Sequence, residues 1–240
     1  KLEKKSFNLF SYVFTWKGKD TTLAPYVLMA HTDVVPVEAI AESKWSYPSF
    51  SGTIDKDTIW GRGAVDDKGS AIAIMEAVEL SLKENIQPSR TIYLCFGHDE
   101  EISGKRGAAI FSKWFDSSNI KPALVLDEGG MVDTEKFKAN GRPVAVVGTR
   151  KKGYTNIDLT VEIPGGHSST PLKETAIDIL NQAIVKVRAN QMPALIAPPV
   201  QDLLNRTGAA QSFFTKMVMA NMWLFKGSVI KQMETSNQTN

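Results

Sequence analysis

The chain has 240 residues, of which 42% are hydrophobic and 22% charged, a balance that excludes a disordered or membrane-embedded protein. Lys+Arg number 28 against 26 Asp+Glu, a net charge of +2, so no acidic partner is implied. The basic run Arg150-Lys151-Lys152 is short and lacks interleaved aromatics, which argues against a nucleic-acid surface.

The single cysteine, Cys95, lies inside an apolar run, so no intrachain disulfide forms and a buried, inert thiol is expected. No apolar stretch reaches the ~20 residues a membrane-spanning helix needs. The chain opens without Met or an export signal and closes on the polar string 234–240, so a piece of a longer protein is expected and the compartment stays open.

In chain order, 7–16 alternates weakly and predicts one strand, with a turn at 17–20. Residues 26–30 form a continuous apolar run, the pattern of a strand covered on both faces in a parallel sheet. A hairpin is expected over 52–60, turning at Asp55-Lys56-Asp57. Residues 70–85 predict an amphipathic helix, with Ala71, Ile74, Met75, Val78 and Leu82 on one stripe. A strand at 91–96, a helix at 107–115 and a strand at 123–126 follow. Residues 156–163 alternate apolar and polar, as a half-exposed strand does; 175–190 predict a second amphipathic helix. A Pro-broken connector over 192–199 leads to a helical region at 200–225. The change in strand style places a domain boundary near Gly148–Gly153, giving domains 1–149 and 150–240.

The three apolar strands each end on ligand-type residues. His31 and Asp33 follow the first, His98-Asp99-Glu100-Glu101 the second, Asp127-Glu128 the third, and Asp66-Asp67 precede the long helix. Open α/β sheets bind ligands at the carboxyl ends of their strands. Carboxylates held together raise one another's pKa, a cost removed by a bound cation or by splaying into water. His31 and Asp33, two apart, share a face, and Asp33 is placed to accept the second ring N–H of a metal-bound His31. Asp66 and Asp67 explain a helix cap, but one acid suffices for that. Glu100 and Glu101 point in different directions, so one can bind a metal while the other holds a water, as in a hydrolase. The alternative is a solvated turn. Asp127, nearer its strand than Glu128, is chosen as a ligand. His98 receives no role, and His167 sits in a Gly- and Ser-rich loop.

The motifs H-T-D-V-V-P, W-G-R-G-A-V-D-D-K-G, G-H-D-E-E-I-S-G, V-L-D-E-G-G and P-G-G-H-S-S-T-P occur in this order. As a set the chain resembles the dinuclear zinc peptidases related to aminoacylase, carnosinase and succinyl-diaminopimelate desuccinylase. The F-G-H-D-E-E wording is nearest the carboxypeptidase S and N-fatty-acyl-amino-acid hydrolase branch. The resemblance implies an α/β fold of zinc-exopeptidase type: a mixed, largely parallel central sheet flanked by helices, with an inserted α+β lid and dimerisation domain, both incomplete here.

It also implies roles. Two Zn2+ ions, with Co2+ or Mn2+ as alternatives, would be held by Asp66 as a bridge, His31 and Asp127 at one site and Glu101 at the other. The Asp66–Asp67 peptide would be cis, Asp33 would orient His31, Glu100 would be the general base, and His167 would stabilise the oxyanion. The activity implied is hydrolysis of an amide in short peptides or N-acyl amino acids, in a homodimer formed through the lid. Relatives draw a last metal-binding histidine from beyond the lid; with His31, His98 and His167 all accounted for, the second site lacks it, as the lid lacks a recognisable arginine motif. The 240-residue chain alone is therefore expected to be inactive. Two other readings compete. One is a degenerate binding module. The other is a Mg2+- or Mn2+-dependent phosphoester hydrolase, disfavoured because only Arg62 and Lys68 lie near the acids.

Overall fold

The structure is a computed structural model describing residues 2–133, 142–149, 153, 155–167, 169–170 and 172–235. The chain divides into two compact units, Lys1–Glu128 and Gly129–Asn240. The division falls before the Gly148–Gly153 stretch suggested by the sequence.

The first unit opens with a hairpin of β1 (Glu3–Phe7) and β2 (Ser11–Trp16), not the single strand expected over 7–16. The reversal comes at Asn8 and Leu9, whose φ values of 45° and 68° are left-handed. Asn tolerates that conformation well, so a turn interrupts what alternation alone reads as one strand. Next come β3 (Tyr26–His31), the short helix α1 (Ala39–Glu42), and the hairpin of β4 (Thr53–Asp55) and β5 (Thr58–Trp60), which turns at Lys56 as expected. Helix α2 (Lys68–Lys83), β6 (Ile92–Gly97), a 3-10 turn at Glu100–Ile102, helix α3 (Ala108–Ser117) and β7 (Leu124–Leu126) complete the unit.

Its sheet runs β1-β2-β6-β3-β7. Strands β6, β3 and β7 are mutually parallel, whereas β2 pairs antiparallel to β6. Alternate residues part to opposite faces. Trp16, Ala30, Leu94 and Phe96 pack on Ala71 and Val78 of α2, while Val13, Val27 and Cys95 pack on Phe111 and Phe115 of α3. Cover on both faces is why β6 is apolar throughout. The parallel strands therefore deliver His31, Glu100–Glu101 and Asp127–Glu128 beyond the same edge.

The second unit contains the antiparallel pair β8 (Met131–Asp133) and β9 (Val144–Val146) and four helices among the described residues. These are α4 (Ala176–Ala189), α5 (Pro198–Gly208), α6 (Phe213–Ala220) and α7 (Met222–Glu234). Thr175 caps α4 in a reciprocal box: its side chain accepts the Asp178 N–H, and the Asp178 carboxylate accepts the Thr175 N–H at 2.8 Å. Pro198 opens α5, where its missing N–H costs nothing. Among the described residues, 156–163 join no sheet, contrary to the strand expected there, and Ile157 is 73% exposed. Alternation supplies an apolar face, but a strand also needs a neighbouring ladder.

Candidate metal centre

His31 ends β3 with its ring almost wholly buried. On one side, its Nδ1 lies 3.0 Å from the Asp33 carbonyl oxygen and 3.3 Å from Asp33 Oδ1. On the other, Nε2 lies 3.0 Å from Asp66 Oδ1 and 3.3 Å from Glu128 Oε2. A carbonyl oxygen only accepts, so Nδ1 carries a proton and donates. Nε2 then meets two carboxylate oxygens, and three electron-rich atoms within 4.8 Å of one another are stabilised by a positive charge among them.

The same balance of charge and burial shifts the proton affinity of these groups. Burial opposes protonation of His31, but the Asp33 carbonyl and the Glu128, Asp66 and Asp33 carboxylates outweigh it, and the pKa is raised. Burial also raises Glu128; His31 pulls it back, while Glu100, Asp66 and Asp67 push it further up. His31 Nε2, Asp66 Oδ1 and Glu128 Oε2, the candidate ligand atoms, lie within 4.8 Å of one another. Ligands about 2 Å from a tetrahedral zinc stand roughly 3.3 Å apart, so the donor set and the 3.0 and 3.3 Å separations from His31 Nε2 suit such an ion.

The scaffold explains how these groups arrive together. The Asp66–Asp67 peptide is cis, as the resemblance implied. Asp66 stays accessible beside His31, while Asp67 is buried and its Oδ2 accepts the His31 backbone N–H at 3.2 Å. Asp67 precedes α2 but makes no side-chain cap, so the second acid serves β3 instead. Lys68 Nζ donates to the Thr32 carbonyl at 2.9 Å, and the Thr32 N–H and hydroxyl both reach the Gly97 carbonyl. These bonds lock the loop after β3 to the end of β6.

Asp33 does more than hold His31. Its Oδ1 accepts the Glu100 N–H at 3.1 Å and its Oδ2 the Glu101 N–H at 3.0 Å. A carboxylate at two orphan N–H groups of a helical turn is the favourable arrangement of charge and dipole. Glu100 is close enough to act electrostatically on Glu128. Glu101 is outside the three-residue ligand group among the described residues.

The sequence points to Asp127 as the ligand; in the structure Glu128 Oε2 lies 3.3 Å from His31 Nε2, while Asp127 Oδ1 accepts the Glu128 N–H at 3.0 Å. The longer side chain spans the distance from the strand end, and the shorter one folds back on the backbone. Sequence reasoning also passed over Asp99. It is buried; its Oδ2 accepts the Arg106 N–H at 2.7 Å and its carbonyl accepts the Gly104 N–H at 2.7 Å, which shapes the loop carrying Glu100 and Glu101. The signal was the pair of downstream glycines: a Cβ on Gly107 would stand 2.6 Å from Asp99 Oδ1. His98, left without a role, bonds through Nδ1 to the buried Ser11 hydroxyl.

The family model for peptidase family M20/M25/M40 matches residues 27–224. The chain belongs to this family. Within it, the chain is 41% identical over 228 residues to a probable carboxypeptidase S-like 2 of Dictyostelium discoideum, covering 94% of this chain and 43% of that protein. It is also 41% identical over 232 residues to the N-fatty-acyl-amino acid synthase/hydrolase PM20D1 of Xenopus tropicalis, covering 96% of this chain and 45% of that one. The chain thus spans less than half the length of these curated M20 relatives. Among solved structures, an M20 family metallo-carboxypeptidase from Sulfolobus solfataricus aligns with a TM-score of 0.44 at 26% identity, over 55% of this chain and 29% of that one.

The last of the five motifs, around His167, lies in the second unit. There the His167 Nδ1 accepts hydrogen bonds from the Ser169 N–H at 3.2 Å and the Ser169 hydroxyl at 2.8 Å. The ring borders a cleft of about 280 Å³ lined by Ile163, Pro164 and Leu172.

Proposed function

We propose that this chain carries part of the active site of a metal-dependent amidohydrolase, acting on short peptides or N-acyl amino acids, of carboxypeptidase or aminoacylase type. The observation that carries the reading is the convergence of His31 Nε2, Asp66 Oδ1 and Glu128 Oε2 at the edge from which Glu100 projects. The M20 relatives named as carboxypeptidase S-like and N-fatty-acyl-amino acid hydrolase support the substrate class.

His31, Asp66 and Glu128 would hold one divalent ion, with Asp66 shared toward a second at Glu101; zinc is the first choice, cobalt or manganese the alternatives. When bound, such ions lower the pKa of a water and polarise the scissile carbonyl. Asp33 keeps the His31 ring oriented by accepting from Nδ1, and through the Glu100 N–H it sets where that carboxylate stands. Glu100 is the base that takes the proton from the attacking water and hands it to the departing amine. His167 donates to the oxygen on which negative charge develops, from the lid of the same or a second subunit.

The test uses the full-length enzyme loaded with zinc. Glu100→Gln should lower the hydrolysis rate of an N-acyl amino acid or dipeptide panel by about 10²–10⁴-fold while leaving metal content unchanged. Undiminished turnover in that variant removes Glu100 as the base. A metal-loaded parent that cleaves neither substrate class removes the reading itself.

A further inference from the structure

Two histidines of this chain face opposite hydrogen-bonding partners. His31 Nδ1 meets a carbonyl oxygen, which can only accept, so its proton sits on Nδ1 and Nε2 is left for a cation. His167 Nδ1 meets the backbone N–H of Ser169 at 3.2 Å and the Ser169 hydroxyl at 2.8 Å. A hydroxyl can turn to accept, but an amide N–H cannot. Nδ1 of His167 is therefore an acceptor, and a neutral imidazole with an accepting Nδ1 carries its one proton on Nε2.

We infer that Ser169 is a positioning residue which fixes His167 as the Nε2–H tautomer, so that the only ring donor points away from the Ser169 turn. The turn itself is held by the Thr170 N–H, which donates to the His167 carbonyl at 2.9 Å. The ring is thus anchored at its backbone and at Nδ1, and among the described residues Nε2–H has no hydrogen-bond partner beside the cleft of Ile163, Pro164 and Leu172. This inference rests on the amide-hydrolase reading for its purpose. A donor meant for a developing oxyanion has to present N–H, and the wrong tautomer would present a lone pair to a negative charge. Ser169 supplies that choice of tautomer before substrate arrives.

The chain has three histidines, which makes the rings separable by 15N NMR at alkaline pH, with His167→Gln identifying the third. The expected spectrum shows His167 with its proton on Nε2 and an Nδ1 resonance displaced by hydrogen bonding. Ser169→Ala removes the hydroxyl and keeps the backbone N–H, so Nδ1 should move part-way toward an unbonded ring nitrogen with the proton still on Nε2, and Ser169→Thr should restore it. A dominant Nδ1–H form in the parent, or a Ser169→Ala ring spectrum identical to it, overturns the inference.

In the full-length enzyme, Ser169→Ala should lower kcat about tenfold with KM unmoved, by analogy with loss of a ligand-orienting partner, and Ser169→Thr should recover it. An active enzyme in which Ser169→Ala changes neither kcat nor the ring spectrum defeats this inference alone. Should the metal-loaded enzyme cleave no amide substrate, the hydrolase reading fails, and the ring spectrum still decides the tautomer.

Discussion

The Asp33 carboxylate and the Glu101 backbone join two strand ends: Asp33, just past β3, accepts the Glu101 N–H at 3.0 Å, just past β6. The same carboxylate takes the Glu100 N–H and lies 3.3 Å from His31 Nδ1. One side chain therefore sets the spacing between the His31 imidazole and the two acids.

Replacing Asp33 with Ala leaves two backbone donors without their partner. Loss of hydrogen bonds to a charged acceptor costs about 1–3 kcal/mol, and each kcal/mol lowers Tm by about 2–4 °C in a chain of this size. Thermal unfolding followed by circular dichroism reads the shift; an unchanged Tm would sink the structural role assigned to Asp33.

Glu128 and Asp127 make a direct contrast. In zinc titrations of the chain, Glu128→Gln should weaken binding at least about tenfold, or about 1.4 kcal/mol, and Asp127→Asn should do less. The reverse order would return the ligand role to Asp127.

Cys95 gives a pH signature. Burial pushes its thiol from 9.0 up to about 12. A raised folded pKa leaves stability fully present below the unfolded value and removes it as pH climbs through the folded one. Between about pH 9 and pH 12 the unfolded thiol ionises while the folded one does not, so this group costs up to about 1.4 kcal/mol per pH unit. Iodoacetamide at pH 8 should leave Cys95 unlabelled in the folded chain and label it fully in denaturant. Rapid labelling under native conditions would contradict its burial.

At the start of α4, Thr175→Ala should cost about 1 kcal/mol through loss of the cap. The partner Asp178 is held below its ordinary pKa by the Thr175 hydroxyl and then by the Thr175 backbone N–H. A depressed folded pKa means that stability is present above the unfolded value and is lost as pH falls through the folded one. The acid arm of the stability curve should therefore be shallower in Thr175→Ala. Identical acid arms in the two proteins would show that the box does not form.

Much of the first unit could be read without coordinates, because burial on both faces writes itself as an unbroken apolar run and a helix as a 3.6-residue stripe. The runs ending at His31 and before His98 and Asp127 are such signals, as is the stripe from Ala71 to Leu82, and they already put imidazole and carboxylates at one sheet edge. Choices between neighbours were out of reach. Asp66 and Asp67 have the same chemistry, yet one stays beside the His31 ring and the other is buried under the His31 amide. Asp127 and Glu128 differ by one methylene, yet Glu128 Oε2 lies 3.3 Å from the His31 ring while Asp127 Oδ1 accepts the Glu128 N–H. The break at Asn8 and the absence of a sheet at 156–163 have the same origin. Composition and periodicity determine which residue types collect where, since those depend on burial alone. Which atom reaches which partner depends on side-chain direction and length across the gap between strands, and only the folded chain decides that.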